Sequence, residues 1–310
     1  MRAVQLAEFG VENIELRDVA DAEVAAGEVL IATEAATVNP ADYGMVTGGM
    51  ASFLPPTITS PYTPGWDLAG TVVDVGDGVD RQLVGSRAVG FSTWIESGHG
   101  TQASLVALPL ANVAVAPDGL PSAQLTTVGL NGLTAWRAVD ELGLKAGQTL
   151  VVVGAAGSVG GFALELAASR GVRVIAAVPE RDRETVLALG AAGVAPREAG
   201  DLGRTVRDLV PDGADALFDT TRSLGNTGLA AIHDGGLYVT VTDGPEPERG
   251  ITVTKVYGGP DAAALETIVD MASRGKLHTP VARAFPAADA RAAYKEFAAG
   301  SRRGRIVLTF

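Results

Sequence analysis

Over the first 115 residues, apolar positions come in short runs rich in Val, Ile, Thr and Ala, and Gly, Pro and Asp separate the runs. That pattern belongs to strands and turns. It predicts strands over 2–5, 14–18, 28–38, 69–75, 87–90 and 102–109. The stretch 47–64 is rich in Gly, Pro, Ser and Thr, a long irregular connection of the kind that carries function. After Pro117 the period lengthens to that of helices, and 121–142 reads as helical with Leu125, Val128, Leu133 and Trp136 among its apolar positions. An all-apolar strand follows at 149–153, then a helix over 157–170 with Val159, Phe162, Ala163 and Leu166 at helical spacing. Strands are expected at 172–178, 193–195, 214–219 and 237–242, and helices at 181–189, 202–209 and 224–233. The last part reads as helices 262–274 and 287–299 and a strand 305–310.

Strands that alternate with helices and lack polar alternation imply a parallel sheet covered on both faces. The expected fold class is therefore α/β, with a β-rich domain beside a doubly wound, Rossmann-type domain. The boundaries fall at 1–117 for the first domain, completed by 262–310, and at 118–261 for the nucleotide-binding domain.

Composition narrows the function. Charged residues are 19% and hydrophobic ones 47% of 310 residues, which excludes a disordered chain. There is no cysteine, so disulfides, a thiol nucleophile, thiolate zinc sites and thiolate-held iron–sulfur clusters are excluded. His99, His233 and His278 are far apart and form no HExxH pattern, so no metal site is expected, and His99 reads as a loop residue. A net charge of −12 disfavours a nucleic-acid partner. The longest uncharged apolar run, 150–164, is interrupted by four glycines and a serine and is shorter than the ~20 residues of a spanning helix. No membrane association is expected, and a cytoplasmic location is the default reading.

The strongest motif is Val153-Gly154-Ala155-Ala156-Gly157-Ser158-Val159-Gly160, set between a strand and a helix. In register with GxGxxG, Ala155 takes the first slot. Gly157 would let backbone approach a pyrophosphate, and Gly160 would let the helix pack close to the strand. Ala155, Ala156, Gly157, Ser158, Val159 and Gly160 are thus candidate cofactor-binding residues, with the helix N-terminus facing the phosphates. About 20 residues on, an NAD site wants a carboxylate. Pro179 stands there, followed by Glu180, Arg181, Asp182 and Arg183. Arg181 and Arg183 could pair with a 2′-phosphate, whereas the acidic residues could belong to a helix N-terminus. NADP(H) is the favoured cofactor.

Several segments together resemble the zinc-independent medium-chain dehydrogenase/reductases of the quinone oxidoreductase type. They are Val38-Asn39-Pro40-Ala41-Asp42, Pro61 to Gly70 (PYTPGWDLAG), Gly132-Leu133-Thr134-Ala135-Trp136, Gly154 to Gly160, Gly235-Gly236-Leu237-Tyr238-Val239 and Gly304-Arg305-Ile306-Val307-Leu308. The resemblance implies a GroES-like β-barrel catalytic domain, a Rossmann domain and an active site in the cleft between them. It also implies NADPH-dependent reduction of quinones or activated alkenes, and a homodimer. Where zinc-dependent relatives place a histidine ligand, this chain has Trp66. Without a Lewis acid, alcohol–ketone exchange is unfavourable, and an electron-poor acceptor is the better substrate.

Asn39, Tyr43, Asn131 and Thr134 are the candidate catalytic residues: Asn39 to position an oxygen, Tyr43 as a donor or aromatic wall, Asn131 and Thr134 along the nicotinamide. Thr220, Val241 and Thr242 end strands, where parallel sheets meet ligands, and Arg197 resembles a position near the adenine ribose. Trp66, Trp94, Val256 and Tyr257 are the candidate substrate pocket, with buried core as the alternative for Trp66. Two other functions stay open: an enoyl-thioester reductase, and a cofactor-binding protein without turnover.

Overall fold

The computed structural model describes all residues except His99, Glu198, Ala199, Arg222, Ser223, Ser301 and Arg302. The loop assignment of His99 therefore lies outside the described residues. The chain divides into two compact units: Met1–Leu133 with Gly259–Gly275 and Thr279–Phe310, and Thr134–Gly258 with Lys276–His278. The first unit runs past position 117 because Leu130 and Asn131 are hydrogen-bonded to its interior.

The first unit is organised by the strand Glu28–Val38. Val29, Ile31 and Thr33 alternate inward at its start, and Ala35 to Val38 are all buried. One edge pairs antiparallel with Asp67–Val75. The other edge is shared: residues 28–32 pair with Leu105–Pro109, and residues 35–38 pair with Arg305–Thr309. Arg87–Phe91 and Val113–Val115 extend the sheet on one side and Val281–Pro286 on the other. Val113–Val115 and Val281–Pro286 were not expected from the sequence; the first is three residues long, and the second exposes most of its side chains. Arg2–Leu6 and Ile14–Asp18 form a separate antiparallel pair. Helix Ala290–Ala299 closes over a cluster of Val4, Leu6, Ile14, Val38, Ile306 and Leu308 through Ala293 and Tyr294.

A short helix, Pro40–Val46, also goes beyond the sequence reading, which saw only a turn at Asn39-Pro40. Proline at the first helical position costs no hydrogen bond, and Asn39 is the N-cap residue.

The second unit holds six parallel strands in the spatial order Gly193–Pro196, Arg173–Val178, Thr149–Val153, Ala214–Asp219, Ile232–Thr240, Thr252–Lys255. Numbered within this unit, the order is 3-2-1-4-5-6, that of the doubly wound dinucleotide-binding sheet. Thr149–Val153 is buried throughout, as a central parallel strand requires. The helix expected over 224–233 is instead a 3-10 helix, Gly225–Ala231, and the following strand starts at Ile232. Gly228 lies against the Tyr238 ring, where a Cβ would come within 2.8 Å, so this turn packs closely on the strand that follows it.

Candidate active site

In the first unit the functional candidates sit on a buried polar network. Strand Asp67–Val75 begins with Asp67, which is fully buried. Its carboxylate accepts from the Thr37 hydroxyl, from the Leu130 backbone N–H at 3.1 Å, and from Asn39 Nδ2 at 3.3 Å. Asn39 Nδ2 also donates to Thr37 Oγ1 at 2.8 Å, and Asn39 Oδ1 accepts from Asn131 Nδ2 at 3.0 Å. Asn39 and Asn131, predicted separately, are thus joined side chain to side chain. Both are buried, and every polar atom of the Asn39 side chain is engaged inside the fold. Asp42 reaches back to accept the Asn39 backbone N–H at 2.8 Å. The network continues through Gln102, which donates to the Thr37 carbonyl and accepts from the Tyr294 hydroxyl at 3.0 Å.

Burial raises the pKa of both carboxyls. For Asp42, desolvation and the neighbouring Asp67 push it well above the carboxylate range. For Asp67, desolvation is opposed by the donors from Thr37 and Leu130. Arg305, buried on the strand Arg305–Thr309, favours the charged form of both. Asp67 and Asp42 were quoted in the sequence only as motif letters. Their place at the hub depends on pairing between distant strands, which the sequence does not display.

Tyr43 lies elsewhere in this unit. Its ring tilts against Phe297 at 5.4 Å and packs on the cluster under helix Ala290–Ala299. Trp66 and Trp94 come together at 6.3 Å, edge to face, with Phe91 at 6.0 Å from Trp66. Backbone pairing sets this up: Asp67 is in register with Phe91, and the Ser92 N–H donates to the Trp66 carbonyl at 2.7 Å. Trp66 is 8% and Trp94 1% exposed, so both are buried side chains. Among the described residues, neither indole N–H has a hydrogen-bond partner. A buried donor left so costs about 1–3 kcal/mol.

In the second unit the glycine turn follows Thr149–Val153 and opens helix Ser158–Ser169. Gly154 has φ +77° and makes the sharp bend, so the turn glycine stands one residue before the slot assigned to Ala155, which is buried. A Cβ on Gly160 would sit 2.3 Å from the Gly154 carbonyl oxygen, and one on Gly154 2.6 Å from Thr220 Oγ1. Glycine at both positions is therefore a packing requirement. The helix N-terminus at Gly157 is exposed and has no side-chain cap. Its first N–H groups and dipole suit a pyrophosphate, and so the residues present fit a dinucleotide.

Thr220 donates through Oγ1 to the Val153 carbonyl at 2.7 Å, joining the ends of the first and fourth strands, the switch point where ligands meet such sheets. The Val241 N–H donates to the Asp219 carbonyl, and the Val256 N–H to the Thr240 carbonyl at 2.9 Å. Thr220, Val241, Thr242 and Val256 are thereby assembled at the carboxyl ends of adjacent strands. Thr134 is buried. Tyr257 is 57% exposed, with Lys255 Nζ over its ring at 5.2 Å. Arg183 forks onto Glu180, with Nη2 to Oε2 at 2.9 Å, and Arg181 is exposed beside it. Arg197 is half-buried just past the third strand. Among the described residues, no three His, Cys, Asp or Glu side chains are grouped as metal ligands, and no helix is long and apolar enough to cross a membrane.

Residues 25–118 match the family model "Alcohol dehydrogenase GroES-like domain", and residues 189–308 match "Zinc-binding dehydrogenase". The chain is 31% identical to the rat quinone oxidoreductase over 251 residues, covering 78% of this chain and 73% of the relative. It is 28% identical to the tomato 2-methylene-furan-3-one reductase, covering 80% and 63%. A solved structure of an NAD-dependent alcohol dehydrogenase superposes with a TM-score of 0.89 at 27% identity over the full length of both chains. The protein belongs to the quinone oxidoreductase-like family of zinc-independent medium-chain dehydrogenase/reductases. It is an oxidoreductase with the family's nicotinamide-binding fold.

Proposed function

We propose that the protein is an NADPH-dependent, zinc-independent reductase of quinones or activated alkenes such as 2-alkenals and enones. The observation that carries this reading is the glycine turn from Gly154 to Gly160 at the switch point of a sheet ordered 3-2-1-4-5-6. The quinone oxidoreductase and the enone-type reductase among the relatives support the acceptor class. The bound cofactor supplies a hydride. The chain's own contribution is to hold and orient. Ala155 to Gly160 and Thr220 hold the pyrophosphate end, Val241 and Thr242 the carboxamide end, and Arg197 the ribose. Arg181 and Arg183 supply positive charge for a 2′-phosphate. Asn39 and Asn131, fixed by one another, order the polar interior that Thr134 adjoins in sequence. Trp66 and Trp94 are walls for a planar acceptor. A cytoplasmic homodimer belongs to the same reading.

The test is NADPH oxidation by the purified protein, with a chelator present, given an ortho-quinone and separately a 2-alkenal. Turnover with either supports the reading, and the faster acceptor names the class. NADPH binding without turnover on either would overturn it in favour of a thioester reductase or a non-catalytic binder.

A further inference from the structure

Two of the three tryptophans, Trp66 and Trp94, carry buried indole N–H groups with no acceptor among the described residues. A hydroxyl can rotate to find a partner, whereas an indole N–H points one way and only donates. Buried donors are almost always satisfied, so two unsatisfied ones on rings 6.3 Å apart call for a physical cause. Their surroundings are aromatic, with Phe91 tilted against Trp66. The two donors are neutral, fixed and out of contact with water.

We propose that the Trp66 and Trp94 indole N–H groups are the recognition site for the carbonyl oxygen of a planar, conjugated acceptor. This rests on the reading of the protein as a reductase of such acceptors, and goes further by giving the two rings a polar role. Neutral donors suit an uncharged carbonyl oxygen, and aromatic faces suit the flat ring or alkene attached to it. Both donors would strengthen as negative charge grows on that oxygen. Entry requires the one-turn helix Trp94–Ser97 to move. That helix is joined to the strand before it through Ser92 and Thr93, and it ends at Gly98 with φ +79°.

The experiment uses the intact protein with 15N-labelled indoles and 2-methyl-1,4-naphthoquinone as the probe. The absence of cysteine leaves no thiol for the quinone to alkylate. Trp136 is the internal control, being half-buried in the other unit with the Arg170 guanidinium over its ring. Two indole N–H resonances are expected to move downfield and saturate with quinone while that of Trp136, identified from Trp136→Phe, stays. Trp66→Phe and Trp94→Phe keep the aromatic wall and are each expected to weaken quinone binding about tenfold, the loss of one hydrogen bond. Unmoved resonances, or equal movement of all three, would overturn the proposal even if a Phe variant failed to fold. Quinone turnover without indole shifts would sink this inference and leave the reductase reading standing. Indole shifts without turnover would do the reverse.

Discussion

Asp67 accepts the Leu130 backbone N–H across 63 residues of sequence, and a Cβ on Gly129 would lie 2.5 Å from its own Cβ. The carboxylate therefore serves as an N-terminal anchor for helix Gly129–Leu142, where negative charge meets the positive end of the helix dipole. Removing it abandons three buried donors, on Thr37, Asn39 and Leu130. Asp67→Ala should cost about 1–3 kcal/mol for each. Urea melts measure this, and a variant as stable as wild type would show that the network is not anchored here.

Gly160→Ala should lose both stability and cofactor affinity. The added Cβ meets the Gly154 carbonyl, a backbone atom that cannot yield without moving the turn. Overpacking of this kind costs about 1–3 kcal/mol. Titration of NADPH fluorescence should show binding at least about tenfold weaker, equivalent to about 1.4 kcal/mol. Normal affinity would mean that the turn does not hold the phosphates.

Glu165, on helix Ser158–Ser169, accepts the His278 backbone N–H with both oxygens at 3.0 Å. Burial pushes its pKa up to about 7 from an ordinary 4.5, against the pull of that N–H. A carboxyl raised on folding binds its proton more tightly in the native state. Its contribution to stability is full below the unfolded value and is lost as pH rises through about 7. Wild type should therefore gain thermal stability relative to Glu165→Gln as pH is lowered from about 8 to about 5.5. Parallel Tm–pH curves for the two proteins would refute the assignment.

Cofactor choice should rest on the two arginines past the second strand. Arg181→Ala combined with Arg183→Ala should raise KM for NADPH about tenfold or more, the loss of roughly one charge-assisted hydrogen bond, and leave KM for NADH nearly unchanged. Equal effects on both cofactors would remove the 2′-phosphate from the argument.

The parts of the fold most legible in the sequence were those with strong local patterns. Thr149–Val153 and Ala214–Asp219 lie where their apolar runs put them, because burial on both faces leaves little polar ambiguity, and Glu28–Val38 shows instead the alternation of a strand with one buried face at its start. The glycine turn was legible from its strand and helix neighbours, although the sharp bend falls on Gly154 rather than at Ala155. Thr252–Lys255 and Val281–Pro286 were hidden, since mixed exposure leaves them without a period. At the candidate site, Asn39 and Asn131 were readable one by one as motif residues. Their hydrogen bond was not, and neither was the hub at Asp67, because these contacts join residues far apart in the chain. The unsatisfied indoles of Trp66 and Trp94 were equally invisible, since a missing partner is a property of packing.

The shared edge of Glu28–Val38 has a consequence for how the protein is made. On that edge residues 35–38 pair with Arg305–Thr309, which a ribosome adds only after all of the six-stranded sheet. The six-stranded sheet, by contrast, is drawn entirely from residues 149–255 and can assemble while translation continues. The first unit begins before that sheet and is completed after it, with half of one strand edge waiting for its partner. Nascent chains stalled short of residue 305 should carry a formed nucleotide-binding unit beside an open, chaperone-seeking sheet.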